Sequence, residues 1–293
     1  MRPLAFDLPL EDGRACVVRV AVPPGPMPAD GWPVAYVLDL RQFETLRADP
    51  GGLPGLLVGL GPARPEDRCW DYVPAGWGAR GAGRPVALRP SAADGGAATA
   101  PAAPAMQTGA ARWLRVLDRV RARIADGWCL DSQRQVLCGH SLGAVFAVYV
   151  LTHRPSAFDG YVLSSPSVWW GGRYAVRLLR RRRSWLCARG VPVLGVRLTV
   201  GAYEQGLAPG ERGPDVDAAE QARRLAVRQA RAMVDGMSEL ARELALCPGL
   251  RLDSAVLSGQ THQSAPQAAL MTGWRWLLAG ANRPHPPGSC RAD

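Results

Sequence analysis

The sequence contains no lysine, so all 35 of its basic residues are arginine. Against 25 acidic residues they give a net charge of +10, which taken alone would suggest a nucleic-acid partner. The arginines occur together with abundant alanine, glycine and proline, a composition that indicates a GC-rich coding bias rather than selection for phosphate contacts. We therefore expect no nucleic-acid binding, although a positive surface would steer an anionic small molecule towards the protein.

Other features are missing as well. The seven cysteines form no Cys-x-x-Cys pair, so we expect neither a zinc site nor a disulfide framework, and no metal or other cofactor. No apolar run is long enough to span a membrane. No N-terminal segment combines a basic start, an apolar stretch and a cleavage site. These absences predict a soluble, cytoplasmic protein without a membrane partner.

The chain has 293 residues, of which 47% are hydrophobic, enough for one large domain with a sizeable core. Strand-like and helix-like segments alternate, which predicts an α/β fold with a mostly parallel sheet and helices on both faces. No repeat or linker divides the chain. We predict a single domain over residues 1–281, favour a monomer, and expect a mobile loop at 87–110 and a disordered tail at 282–293.

The expected elements follow from hydrophobic periodicity. Strands are predicted at 16–22, 33–38, 56–60, 135–138, 161–163, 196–200 and 252–257. Helices are predicted around 113–124, 144–151, 233–244 and 267–278.

One pentapeptide, Gly139-His140-Ser141-Leu142-Gly143, has the pattern Gly-x-Ser-x-Gly between a predicted strand and a predicted helix. This is the context of a nucleophile elbow, in which a strained turn presents the serine hydroxyl. Glycines on both sides let the strand and the helix pass closely. The first N–H groups of the helix face any oxyanion that forms beside the serine. The pattern predicts Ser141 as a nucleophile and the N–H of Leu142 as an oxyanion donor.

A serine nucleophile needs a base, and the chain contains four histidines. His140 lies inside the elbow, where we expect its side chain to point away from the serine. His153 falls at a predicted helix end and His285 in the predicted tail. His262 lies between the last predicted strand and the last helix, where α/β-hydrolases carry their general base. Elimination and position therefore predict His262.

The acid that orients this histidine is less constrained. It should follow the strand at 196–200, and Glu204 is the nearest carboxylate to the end of that strand. Its task would be to accept the second imidazole N–H and to stabilise the imidazolium. Glu204 is our prediction, with Asp215, Asp217 or a plain serine–histidine dyad as alternatives.

Several longer motifs resemble the α/β-hydrolase esterases related to enterobactin and salmochelin esterases, within the wider esterase D-like group. The resemblance extends from about residue 14 to residue 279. Its motifs are residues 34–39, 57–61, Arg68 with residues 71–74, the Ser-Pro-Ser-Val-Trp-Trp segment at 165–170, and residues 201–204.

The resemblance implies an α/β-hydrolase fold with little or no lid that hydrolyses ester bonds in a catecholate siderophore. It also implies Ser141 as nucleophile and His262 as base, with Glu204 as acid. Trp169 and Trp170 would either wall the pocket and stack on catechol rings, or pack in the core. A general carboxylesterase or acyltransferase, and a catalytically impaired siderophore-binding homologue, are the alternative functions.

Two departures from the family pattern concern the site. The glycine that normally follows Asp39 is missing, so either Leu40 or Arg41 would supply the second oxyanion N–H. Loss of such a donor costs roughly a hundred- to a thousandfold in rate. Ala202 replaces the first glutamate of the family's Gly-Glu-x-Glu segment, which removes an alternative acid from that turn.

Overall fold

Eight strands form one sheet in the part of the chain that the computed structural model describes, residues 4–74, 109–188, 193–212 and 217–280. They are β1 Leu4–Pro9, β2 Ala15–Ala21, β3 Trp32–Leu38, β4 Leu56–Pro62, β5 Leu130–His140, β6 Gly160–Ser164, β7 Leu194–Gly201 and β8 Leu250–Leu257. The spatial order is β1-β2-β4-β3-β5-β6-β7-β8. Strand β2 runs antiparallel to β1 and β4, and the remaining neighbours are parallel. The predicted mostly parallel sheet is therefore confirmed.

Helices cover both faces of this sheet. They are α1 Leu40–Arg47, α2 Arg68–Asp71, α3 Ala110–Gly127, α4 Leu142–His153, α5 Trp170–Leu186, α6 Ala218–Arg231, α7 Met233–Ala245 and α8 Ala265–Ala279. Helices α1 and α8 pack on one face of the sheet, and α3, α4, α5 and α7 pack on the other.

The central strands are apolar because both of their faces are covered. Every residue of β3, β4 and β6 is buried. Trp113 fills the core on one face and Trp274 fills it on the other, and neither side chain is exposed. A Cβ added at Gly59 of β4 would lie 2.5 Å from Phe43 of α1, so glycine is required where this helix approaches the sheet.

The structure adds elements that the periodicity did not predict. Strand β1 is an edge strand in which no residue is fully buried, although Phe6 and Leu8 pack against the core. Helix α1 begins at Leu40, directly after the turn that follows β3, where no helix was predicted. The long helical stretch around 233–244 is preceded by a separate helix, α6, because Ala232 adopts a left-handed conformation with φ 46°. The loop predicted at 87–110 falls almost wholly outside the described residues, as does the tail predicted at 282–293.

The cysteines depart from the expectation at one position. Cys129 is disulfide-bonded, whereas Cys16, Cys69, Cys138, Cys187 and Cys247 are free thiols. Burial raises the pKa of Cys16 to about 12, which keeps this thiol protonated and unreactive. No sequence signal indicated the bond at Cys129, because this cysteine belongs to no local Cys-x-x-Cys motif.

Two features are absent from the described ranges. None of the helices there is both long and apolar enough to cross a membrane. No group of three or more His, Cys, Asp or Glu side chains in those ranges is arranged to hold a metal ion.

Candidate active site

Ser141 occupies the turn between β5 and α4, with φ 58° and ψ −117°. A non-glycine residue in this region carries strain of about 1–3 kcal/mol, which the surrounding structure must offset. The Ser141 N–H donates to the Ser164 carbonyl at 3.0 Å. A Cβ at Gly139 would lie 2.4 Å from the Gly143 carbonyl oxygen, so only glycine fits there. The turn has the geometry of a nucleophile elbow.

The Ser-Pro-Ser segment after β6 contacts the elbow. Ser167 Oγ lies 3.0 Å from Ser141 Oγ, and the Ser167 N–H donates to the Ser141 carbonyl at 3.2 Å. Among the described residues, Ser141 Oγ has this serine and not His262 as its hydrogen-bond partner. Serine–histidine bonds are often long without substrate and tighten when it binds.

His262 and Glu204 meet at the carboxyl ends of β7 and β8. His262 Nδ1 lies 2.6 Å from Glu204 Oε2, so Nδ1 is the donor and Nε2 is left to accept a proton. The Glu204 side chain is only 1% exposed. Its other oxygen accepts the Gly201 N–H at 2.7 Å and the Ser165 hydroxyl. Three donors thus hold the carboxylate against the imidazole.

Of the two other candidate acids, the structure describes one. Asp217 caps α6 by accepting the N–H groups of Ala219 and Glu220, each at 3.3 Å. Asp215 lies outside the described residues. Of the two predicted carboxylates that the structure describes, Glu204 is the one that meets His262.

The expectation that His140 points away from the site is wrong. Its ring centroid lies 4.5 Å from that of His262, and its Nδ1 lies 3.1 Å from Ser164 Oγ. Burial, reinforced by the charge of His262, holds the pKa of His140 well below its ordinary value. His140 is therefore a neutral ring that packs against His262 without repelling it. The side-chain pattern of β5 gave no signal for this contact, because His140 and His262 lie far apart in the sequence.

Asp39, which precedes the position of the missing glycine, has an unusual backbone conformation. It adopts φ 131° and ψ 126°, a region that glycine favours. Its carboxylate accepts the Arg41 N–H at 2.9 Å and pairs with the Arg68 guanidinium. The Arg41 N–H is thus engaged. The Leu40 N–H begins α1, a position that has no acceptor within a helix, and within the described ranges no other acceptor binds it.

A buried ion-pair network fixes the helix that carries Arg68. Asp71, at the end of α2, is fully buried and pairs with Arg14 at 2.8 Å and with Arg112 at 2.6 Å. Breaking such a buried pair typically costs 3–5 kcal/mol because a charge is left uncompensated. The network therefore holds α2 so that Arg68 reaches Asp39.

Trp169 and Trp170 are both half-buried and pack against the core. The Trp170 ring makes an edge contact with Tyr174, with centroids 6.1 Å apart. The Trp169 ring lies under Arg231, whose Cζ is 5.1 Å from the ring centroid. Core packing accounts for part of each side chain, and a role of either ring in a substrate pocket stays a prediction.

Four residues at the site were not assigned a role from the sequence. Ser165 binds Glu204, Ser167 binds Ser141, and Arg68 with Asp39 shapes the turn after β3. All four lie in motifs that the family resemblance had already singled out. That resemblance was the available signal, because none of these contacts joins residues close in sequence.

Comparisons with known proteins show what this chain is similar to. A family profile described as serine aminopeptidase, S33, matches residues 130–247, which include the elbow and Glu204. A siderophore enterobactin esterase from Emericella nidulans is 39% identical over 113 residues, or 38% of this chain and 36% of that protein. The chain thus matches about a third of that relative's length.

A ferri-bacillibactin esterase from Bacillus subtilis is 24% identical over 230 residues, covering 66% of this chain and 68% of that one. The siderophore hydrolase EstB from Aspergillus nidulans superposes with a TM-score of 0.70 at 22% identity, covering 94% of each chain. Fold, elbow and similarity agree: the chain has the α/β-hydrolase fold of the serine hydrolases and is similar to siderophore esterases.

Proposed function

We propose that the protein is a serine hydrolase that cleaves carboxylic ester bonds, in a catecholate-type siderophore, through an acyl-enzyme on Ser141. The observation that carries the proposal is the 2.6 Å contact between His262 Nδ1 and the buried Glu204 carboxylate, beside a serine in elbow geometry. Similarity to relatives named as enterobactin and ferri-bacillibactin esterases supports the substrate class.

The chemistry follows from these atoms. His262 Nε2 takes the Ser141 proton as Oγ attacks the ester carbonyl, and Glu204 stabilises the imidazolium that forms. The protonated His262 then gives its proton to the alcohol oxygen as the ester bond breaks. Water, deprotonated by His262, attacks the acyl-enzyme and releases the acid. The neutral His140 beside His262 adds no charge that would oppose this proton transfer.

The oxyanion of each tetrahedral intermediate would be held by two backbone N–H groups. Leu142 supplies one from the start of α4, where the helix dipole also favours negative charge. Leu40 is favoured for the second, because Arg41 already donates to Asp39. The missing glycine is thereby compensated by Asp39 and its two contacts.

We further propose that residues 1–281 act as one domain and that the protein works as a monomer in the cytoplasm on its small-molecule ester, with no metal or cofactor taking part. The alternation of strands and helices without a linker supports the single domain.

The proposal is tested by incubating the purified protein with a fluorophosphonate probe and with a panel of esters. We expect labelling of Ser141, and hydrolysis of a catecholate trilactone detected by mass spectrometry. Turnover of p-nitrophenyl esters without hydrolysis of any siderophore would favour a general carboxylesterase. Absence of labelling, with siderophore binding retained, would favour an impaired binding homologue.

Arg68 provides a test of the oxyanion turn. Replacing Arg68 with glutamine should release Asp39 and lower kcat by about ten- to a hundredfold, short of the loss of a whole donor, with little change in KM. Arg68→Lys should recover part of kcat. The control is Arg64→Gln, since Arg64 is exposed and pairs with Asp67 in the same segment. A KM increase without a kcat decrease would contradict the positioning role.

A further inference from the structure

Arg231 packs on Trp169 at the sheet edge that carries Ser141. Its guanidinium carbon lies 5.1 Å from the centroid of the Trp169 ring. Trp169 follows Ser167 by two residues, and Ser167 Oγ is 3.0 Å from Ser141 Oγ. Trp169 is therefore two residues along the chain from a serine that contacts Ser141, which places the Arg231–Trp169 pair near the proposed ester site.

The junction between α6 and α7, which carries Arg231, is tied to the turn that holds Glu204. Gln205 follows Glu204, and its side-chain oxygen accepts the N–H groups of Val234 and Asp235 at 3.0 and 3.1 Å. Gln205 therefore links the start of α7, next to Arg231, to the turn that carries Glu204.

Arg231 differs from the other arginines of α6 in its partners. Arg223 and Arg224 pair with Glu220, and Arg228 pairs with Glu211. Across the described ranges, no carboxylate lies within ion-pairing distance of Arg231. Burial lowers the pKa of Arg231, because its half-buried guanidinium has lost water without gaining a counter-charge. A bound anion would compensate that cost.

We propose that Arg231, on Trp169, is a specificity-determining residue that selects ester substrates bearing negative charge on an aromatic ring. The planar guanidinium donates to the oxygens of a catecholate, and the indole offers an aromatic surface beside it. A ferric tris-catecholate is triply negative and presents such rings. A neutral ferric tris-hydroxamate presents neither charge nor ring. This inference rests on the proposed function, since the pair acts only on a substrate held beside Ser141.

The test measures binding separately from hydrolysis. In the Ser141→Ala protein, tryptophan fluorescence quenching gives Kd for the ferric complex of a catecholate trilactone and for that of a hydroxamate trilactone. We expect tighter binding of the catecholate complex. Adding Arg231→Gln should raise its Kd about ten- to a hundredfold, the range for one charged hydrogen bond, without changing the hydroxamate Kd. Arg231→Lys should recover part of the loss, and Arg223→Gln should have no effect.

Equal Kd values for the two complexes, including failure to bind either, would overturn the inference. So would an equal loss for both complexes in Arg231→Gln. If the protein with Ser141 intact binds the catecholate complex more tightly than the hydroxamate complex but hydrolyses no ester, the inference is supported. The proposed hydrolase activity is then overturned. Hydrolysis of the catecholate trilactone by a protein that binds the two complexes equally would support the proposed hydrolase and overturn the inference.

Discussion

Replacing Ser141 with alanine is expected to lower kcat for ester hydrolysis by about 10⁴- to 10⁶-fold, the range seen when a nucleophilic serine is removed. The residual rate would come from the oxyanion donors and from binding alone. Hydrolysis is followed by chromatography of the products, and fluorophosphonate labelling by mass spectrometry should disappear with it. Thermal unfolding checks that the protein remains folded, because alanine must adopt the same positive φ at this turn.

The matched control is Ser238→Ala. Ser238 is an exposed serine of α7 whose hydroxyl donates to the Val234 carbonyl, so its removal should leave kcat and labelling unchanged. Retained activity and labelling in Ser141→Ala would contradict the assignment. Ser167 would then be the serine to examine, because its hydroxyl lies 3.0 Å from that of Ser141.

Replacing Glu204 with glutamine is expected to lower kcat by about 10⁴-fold, as in other triads in which the acid becomes an amide. The amide nitrogen can donate to the imidazole, which would place the proton on Nε2 and leave no base facing Ser141. KM should change little, since Glu204 is buried and does not border the substrate. Steady-state kinetics with one ester measure both constants.

Glu211→Gln is the control for this second prediction. Glu211 follows Glu204 by seven residues and pairs with Arg228, whose hydrogen bond lowers the pKa of Glu211 to about 2. Its replacement should cost about 1 kcal/mol of stability, since the pair is only half-buried, and leave kcat unchanged. If Glu204→Gln lowered kcat less than tenfold, the plain serine–histidine dyad that the sequence left open would be the better account.

The fold was largely predictable because its signals are local. Apolar runs at β3, β4 and β6 are nearly continuous, which is typical of strands buried on both faces. Strand β1 and helix α1 were missed for the opposite reason: the strand lies at an exposed edge, and the helix follows a turn of unusual backbone. Ala232 ends α6 in a left-handed conformation that no residue preference announces, since alanine rarely adopts it.

For the candidate site, too, some features were predictable from the sequence and others were not. The sequence by itself determined the elbow around Ser141, because strand, turn and helix are contiguous, and it singled out His262 by position among four histidines. Only the tertiary structure decided which carboxylate meets His262, that His140 packs against His262, and that Asp39 adopts a positive φ and pairs with Arg68. These contacts join residues 29 to 122 positions apart. The order of residues along the chain does not predict contacts over such separations. They form because the parallel sheet places the carboxyl ends of its strands at one edge.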